Sequence, residues 1–315
     1  MNGKCLYCYQ PTERGMDFHP KCSVAFFRTA TPPVIEYTLD QMDELAKSVV
    51  ERSIAVPGVQ PKLSMSLVKT AREKNDNRLT VVGALGGQYI FKPPSILFPE
   101  MPENEHVTMR MAQSFGIRVV PSSLVRLASG ELSYITKRVD RTEEGEKLHM
   151  LDMFQITEAF DKYKGSMEKI GKALDNYSAN TLLDKIFFFE LALFSFLTGN
   201  NDMHLKNFSM IEQPSGWGLA PAYDLLNVAI VLPEDTEELA LTLAGKKKKL
   251  TREHFELLGQ GMGLTERQIK GSFKRMLKNR KQALAWIDQS FLSEGMKKRY
   301  SEVLEARYQQ LDMDK

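Results

Sequence analysis

The spacing of apolar residues changes near residue 140, and that change limits the folds open to this chain more than any single motif. Before it, the recurring period is two. Leu63-Ser64-Met65-Ser66-Leu67 alternates strictly, as a strand with one buried face does. Leu79-Thr80-Val81-Val82 follows a polar run, and Gly86-Gly87 turns the chain into Gln88-Tyr89-Ile90-Phe91-Lys92, which Pro93-Pro94 stops. Strands over 119–127 and 132–139, joined at Ser129-Gly130, complete what is most simply an antiparallel sheet. Two helices interrupt this half. Leu39, Met42, Leu45 and Val49 recur at three- and four-residue steps across 37–50, and Val107, Met111, Ala112 and Phe115 mark a second helix ending near Gly116. Beyond the charged stretch 140–147 the pattern is mainly helical. Segment 186–197 is almost wholly apolar, broken at Glu190, and should form the buried centre of its lobe. Thr251 reads as a helix N-cap and Thr265 with Gln268 as a capping box. The expected class is α+β, with a β-rich N-lobe, a helical C-lobe and no internal repeat. The expected boundaries are 1–28 for a small cysteine-bearing segment, 29–139 for the N-lobe and 140–315 for the C-lobe.

A chain of 315 residues, 43% of them hydrophobic, has material for such a two-lobed unit with real cores. Lysine and arginine (42) nearly balance aspartate and glutamate (40), so the net charge of +2 points neither to nucleic acid nor to an anionic membrane. Lys246-Lys247-Lys248-Lys249 is the one dense basic run; it reads first as a solvated loop and more sharply as a dock for an acidic or nucleic-acid-bound partner. Segment 186–197 is too short to span a bilayer, and no basic, apolar leader opens the sequence, so a cytoplasmic protein is expected.

All three cysteines fall in the first twenty-two residues, and an odd count crowded together makes no disulfide framework. Cys5-x-x-Cys8 followed by His19-x-x-Cys22 has knuckle-like spacing, suited to a structural, tetrahedral Zn²⁺ with no open position. A reduced-cysteine turn without metal is the plainer alternative. Lys4 and Lys21 bring too little charge for a ribbon that tracks phosphates.

Directly after the apolar segment comes Thr198-Gly199-Asn200-Asn201-Asp202-Met203-His204-Leu205-Lys206-Asn207-Phe208-Ser209, a polar loop against a core element. Asp202 and Asn207 stand five positions apart, the spacing at which a kinase catalytic loop sets a carboxylate by the acceptor hydroxyl and an amide oxygen on Mg²⁺. Trp217-Gly218-Leu219-Ala220-Pro221-Ala222-Tyr223-Asp224 then places a second carboxylate after a short apolar segment, where kinases keep a metal-binding aspartate. Lys92, at a strand end, is the candidate to hold α- and β-phosphates of ATP. The Gly58 loop could lay N–H groups over them, and Glu103 or Glu105 could pair with the lysine. Each residue alone has a structural reading: Asp202 as a helix cap, Lys92 as a surface strand residue, His204 as a packing residue. Phe187-Phe188-Phe189 reads as core. The order of the parts along the chain is what favours phosphoryl transfer.

Four blocks resemble the HipA-like serine/threonine kinase toxins of bacterial toxin–antitoxin systems: Val56-Pro57-Gly58-Val59-Gln60-Pro61-Lys62-Leu63-Ser64, Tyr89-Ile90-Phe91-Lys92-Pro93, Asn201 through Ser209, and Pro221-Ala222-Tyr223-Asp224-Leu225-Leu226. The resemblance runs from about residue 50 to 310 and implies a two-lobed protein-kinase-like fold. It implies Asp202 as catalytic base, and Asn207 and Asp224 as Mg²⁺ ligands. It places Pro57, Gly58, Val59, Gln60, Pro61, Lys62 and Lys92 on ATP, Lys137, Arg138 and Val139 at the adenine hinge, and His204, Lys206 and Tyr223 around the nucleotide. It further implies a protein substrate such as an aminoacyl-tRNA synthetase, a helix-turn-helix antitoxin through which DNA is met indirectly, and a small partner supplying an N-terminal subdomain. One departure concerns regulation: family members often autophosphorylate a serine three residues before the loop glycine, where this chain has Ala55, with Ser53 upstream. An ATP-binding pseudokinase scaffold and a small-molecule phosphotransferase are the alternatives.

Overall fold

The computed structural model describes residues 3–42, 44–45, 62–69, 77–82, 86–142 and 144–313. Two compact units emerge, one formed by Met1–His106 with Val120–Gly145 and the other by Val107–Val119 with Glu146–Lys315.

In the first unit a two-stranded ribbon, β1 (Gly3–Lys4) and β2 (Pro11–Thr12), precedes helix α1 (Pro20–Phe27). The alternating segments form an antiparallel sheet of β3 (Leu63–Lys69), β4 (Asn77–Val82), β5 (Tyr89–Lys92), β6 (Ser122–Arg126) and β7 (Leu132–Lys137), in the order β4-β3-β5-β7-β6. Register follows burial: Leu63 faces Phe91 across β3 and β5, and both side chains leave water almost entirely. Strand β7 is flanked on both sides, and Ser133, Tyr134, Ile135 and Thr136 are all buried. Gly87 enters β5 with φ +79°, and a Cβ there would lie 2.6 Å from the Met65 carbonyl oxygen, so the turn admits no side chain. The outer edge of β6 is met by the turn that joins β1 and β2, since the Leu124 N–H donates to the Leu6 carbonyl at 3.3 Å. Of the helix expected over 37–50, residues 39–42 and 44–45 are helical, and the others apart from 37 and 38 lie outside the described residues.

Helix α2 (Met101–Ser114) contains the division between the units. In the second unit α5 (Thr181–Leu197) is the central element, with Phe188, Phe189, Phe194 and Phe196 fully buried. Each such ring stabilises the fold by about 2–3 kcal/mol relative to exposure. Phe115 packs edge-on against Phe194 with ring centroids 5.4 Å apart, which explains the apolar spacing that runs through α2. Glu190, the break in the apolar run, is 1% exposed, and its carboxylate accepts from Ser272 Oγ at 2.9 Å and Arg275 Nη1 at 3.0 Å. Burial pushes this carboxyl above its ordinary range, against the opposing pull of Ser272 and Arg275. The other helices of this unit are α3 (Met153–Ile156), α4 (Met167–Tyr177), α6 (Arg252–Gly261), α7 (Glu266–Lys278), α8 (Arg280–Gln289) and α9 (Glu294–Gln310), of which α4, α6, α7 and α9 pack against α5. Thr265 and Gln268 form the expected capping box on α7. Thr251 caps α6, its N–H donating to His254 Nδ1 at 3.0 Å.

The helical half also carries a sheet that apolar spacing did not announce: β8 (Met150–Asp152), β9 (Ser209–Gln213) and β10 (Gly216–Leu219), ordered β10-β9-β8. The basic run lies in a loop, where Lys247 pairs with Glu237 at 3.1 Å while Lys246, Lys248 and Lys249 are exposed. Among the described residues no helix is long and apolar enough to cross a membrane.

Candidate active site

Helix α5 ends at Thr198, whose hydroxyl turns back to the Phe194 carbonyl at 2.8 Å, and the chain then reverses at Gly199, φ +67°. A Cβ on Gly199 would sit 2.8 Å from Asn227 Oδ1, and its carbonyl accepts the N–H groups of Val228 and Ala229, each at 3.0 Å. The loop is thereby pinned against the segment that follows Asp224.

Within the loop, the Asp202 carbonyl accepts from the His204 N–H at 2.8 Å and from Asn207 Nδ2 at 2.9 Å. Only the NH₂ end of an amide donates to a carbonyl, so this bond fixes the flip of Asn207 and leaves Oδ1 as the end that can meet a cation. Asp202 Oδ1 accepts from the Tyr163 hydroxyl at 2.8 Å. Burial, and then the Asp202 charge, push the Tyr163 phenol well above its ordinary range, so it stays a neutral donor. His204 packs edge-on to the Tyr163 ring at 5.2 Å and is 6% exposed. Its burial lowers the imidazole's affinity for a proton, while Asp202 and, more weakly, Asp224 oppose that shift, so both carboxylates act on one ring.

Asp224 follows a short extended passage after β10, where the Ala222 N–H donates to the Arg118 carbonyl at 2.7 Å. Its φ is +56°, a left-handed conformation that costs a residue with a Cβ about 1–2 kcal/mol and gathers at functional sites. The preceding Tyr223 ties this passage to the loop: its hydroxyl donates to the Lys206 carbonyl at 3.0 Å and bonds Ser209 Oγ. Burial raises the Tyr223 phenol, the Ser209 bond opposes and Asp224 reinforces the rise. Lys206 is exposed, its ammonium 4.8 Å from the centroid of the Phe154 ring.

In the strand-rich unit Lys92 is 3% exposed, and its Nζ donates to both oxygens of Glu105, at 2.7 and 2.8 Å. The Tyr134 ring centroid is 5.3 Å from the same ammonium. Of the two glutamates read as partners, Glu105 holds the lysine. Glu103, half-buried on the first turn of α2, has its carboxyl pushed up by burial to about 7. At the expected hinge, the Lys137 N–H is engaged by the Pro121 carbonyl and the Arg138 N–H by that of Gln88, each close to 3 Å. The Arg138 guanidinium grips Asp140 through two bonds of 2.8 Å. Val139, the third residue of the expected hinge, is half-buried. Lys62 is exposed just before β3, while Pro57, Gly58, Val59, Gln60 and Pro61, with Ser53 and Ala55, lie outside the described residues.

The four expected zinc ligands converge. The thiols of Cys5, Cys8 and Cys22 and a ring nitrogen of His19 all lie within 4.8 Å of one another, and the cysteines are free. His19 Nδ1 stands 3.4 Å from Cys8 Sγ and 3.6 Å from Cys22 Sγ. Those separations match the edge of about 3.6 Å between nitrogen and sulfur that a tetrahedron of Zn–N and Zn–S bonds requires.

Tyr163 is the site residue that sequence spacing missed. It lies in a polar stretch some forty residues before Asp202, with no pattern to single it out.

Residues 54–284 match the family described as the HipA-like C-terminal domain. The chain belongs to that family. This HipA-like chain is 32% identical over 232 residues to "Putative kinase Y4dM" of Sinorhizobium fredii, an alignment covering 68% of the chain and 55% of that protein. It is 30% identical over 193 residues to "Putative kinase" of Haemophilus influenzae, covering 57% and 54% respectively. The HipA-like chain thus spans about half the length of the curated relatives it matches. Among solved structures it resembles Shewanella oneidensis MR-1 HipA, from a toxin–antitoxin complex with HipB and operator DNA, with a TM-score of 0.67 at 23% identity over 84% of this chain and 70% of that one. The Helicobacter pylori proinflammatory kinase CtkA gives a TM-score of 0.53 at 16% identity, over 80% of this chain and 94% of that one. These likenesses show the fold to be the α+β arrangement of HipA-like kinases, a strand-rich unit and a helical one. Cys5, Cys8, His19 and Cys22 all precede the matched residues.

Proposed function

We propose that this chain is an ATP- and Mg²⁺-dependent serine/threonine protein kinase and the toxin of a toxin–antitoxin system. The Lys92–Glu105 pair carries the reading. Burying both charges costs several kcal/mol of solvation that a fold alone gains little by spending, whereas phosphotransferases use such a pair to present a lysine to α- and β-phosphates.

Asp202 takes the proton of the acceptor hydroxyl as that oxygen bonds to the γ-phosphorus and the bond to the β-phosphate oxygen breaks, releasing ADP. Asn207 Oδ1 and the Asp224 carboxylate are oxygen donors that suit hard Mg²⁺, which, when bound, neutralises charge on the phosphates. Pro57, Gly58, Val59, Gln60, Pro61 and Lys62 are assigned to the phosphates, and Lys137, Arg138 and Val139 to adenine. His204, Lys206 and Tyr223 hold the loop that carries Asp202 and Asn207.

The protein acts in the cytoplasm, on a translation factor such as an aminoacyl-tRNA synthetase. The solved complex of HipA with HipB and operator DNA supports an antitoxin as partner. We take that antitoxin to be a helix-turn-helix protein through which DNA is met, and a small N-subdomain-like protein to be a second partner.

The test is transfer of γ-phosphate from labelled ATP with Mg²⁺. Asp202→Asn should lower the rate about 10²- to 10⁴-fold, the share of a general base, while nucleotide affinity holds. Undiminished transfer in that variant would overturn the assignment.

A further inference from the structure

The amino-terminal knuckle reaches both elements that carry the Lys92–Glu105 pair, and it does so from opposite halves of its own ligand set. From the first half, Cys5 and Cys8 bracket a turn that ends at Tyr9, whose N–H returns to the Cys5 carbonyl at 3.0 Å and whose φ of +64° is left-handed. That conformation directs the phenol into the unit, where Tyr9 is 2% exposed and its hydroxyl shares a 2.8 Å hydrogen bond with Nδ1 of the fully buried His106. The two rings meet edge-on at 5.2 Å. His106 is the residue after Glu105 on α2.

From the second half, His19 caps α1 and Cys22 lies in its first turn. One turn further, Phe26 and Phe27 pack at 4.7 Å from each other and at 5.8 and 6.2 Å from Tyr89. Tyr89 opens β5, the strand that ends at Lys92. Fixing Cys5 with Cys8 therefore fixes a contact on the helix of Glu105, and fixing His19 with Cys22 fixes a contact on the strand of Lys92.

The donor chemistry suits the metal that would do the fixing. His19 Nε2 faces the Pro11 carbonyl at 2.8 Å, and a proton donated there leaves Nδ1 with its lone pair toward the sulfurs, the tautomer a metal-bound imidazole needs. Four filled positions leave no open site, so the ion is structural rather than catalytic.

We infer that Cys5, Cys8, His19 and Cys22 bind one Zn²⁺ and that its occupancy sets the alignment of α2 and β5, coupling metal binding to nucleotide affinity. The second clause rests on the reading of Lys92 as a phosphate ligand.

The whole chain serves for the test. Elemental analysis should find stoichiometric zinc that Cys22→Ser loses. Hydrogen–deuterium exchange should quicken across 103–106 and 89–92 when a chelator strips the metal. Tyr9→Phe spares every ligand, so it should keep its zinc and quicken 103–106 alone. Its ATP Kd should rise about fivefold, the factor one buried hydrogen bond is worth. A chain that binds no zinc, or one whose exchange in both segments ignores metal removal, would overturn the inference. Exchange that responds in a protein that binds no ATP would uphold the metal brace and instead reject the kinase reading.

Discussion

Tyr163 holds one carboxylate oxygen of Asp202, and in the proposed kinase mechanism the other meets the acceptor. A hydroxyl of 2.8 Å reach that remains protonated is a fixed support for a carboxylate, and its loss frees the side chain to rotate. Tyr163→Phe should therefore lower kcat on the order of tenfold, the value of a hydrogen bond to a charged group, with ATP affinity unchanged. Stopped-flow nucleotide binding beside steady-state transfer separates the two quantities. Glu103 supplies a pH signature of another kind. Its carboxyl titrates near 7 in the folded chain against an ordinary 4.5, so the protonated form is favoured by folding. Its contribution is full below about 4.5 and is lost as pH rises through 7. Urea midpoints should fall across that interval, and Glu103→Gln should flatten the fall and leave the protein more stable at pH 8. An unchanged slope in the variant would show that another group titrates there.

Elements differ in how much of their placement a sequence can announce. Strands β3, β5 and β7 were legible because each buries alternate or continuous apolar residues between turns. The sheet β8-β9-β10 was not, since strands of three to five residues give periodicity too little length, and two of the three are mostly half-exposed. The choice between Glu103 and Glu105 was equally closed to reading: two positions along a helix differ by about 200°, and only the location of β5 decides which faces Lys92. The Asn207 amide and the Asp202 carbonyl, by contrast, are neighbours along one short loop, so their spacing carried their geometry. Turns are tested by substitution. Gly87→Ala demands a left-handed alanine and a contact 2.6 Å from a carbonyl oxygen, and should cost more than about 2 kcal/mol, read as a lowered Tm.

At the scale of the whole molecule, membership of the HipA-like family fixes the architecture, while the acceptor depends on surfaces that no loop motif names. Brief expression of the wild type in its host, compared with Asp202→Asn by phosphoproteomics, should yield a small set of phosphoserine or phosphothreonine sites present only with the wild type, together with slowed growth. Equal growth and identical phosphopeptides would argue for a scaffold. The bond from the Leu124 N–H to the Leu6 carbonyl has a further consequence for the molecule in a crowded solution. It occupies the rim of a sheet whose outermost strand is buried along four of its five residues, from Ser122 to Val125. An unfastened ribbon would bare that rim, and bare rims recruit strands from other copies. Damage to the first thirty residues should then show itself as concentration-dependent self-association before any loss of helical signal.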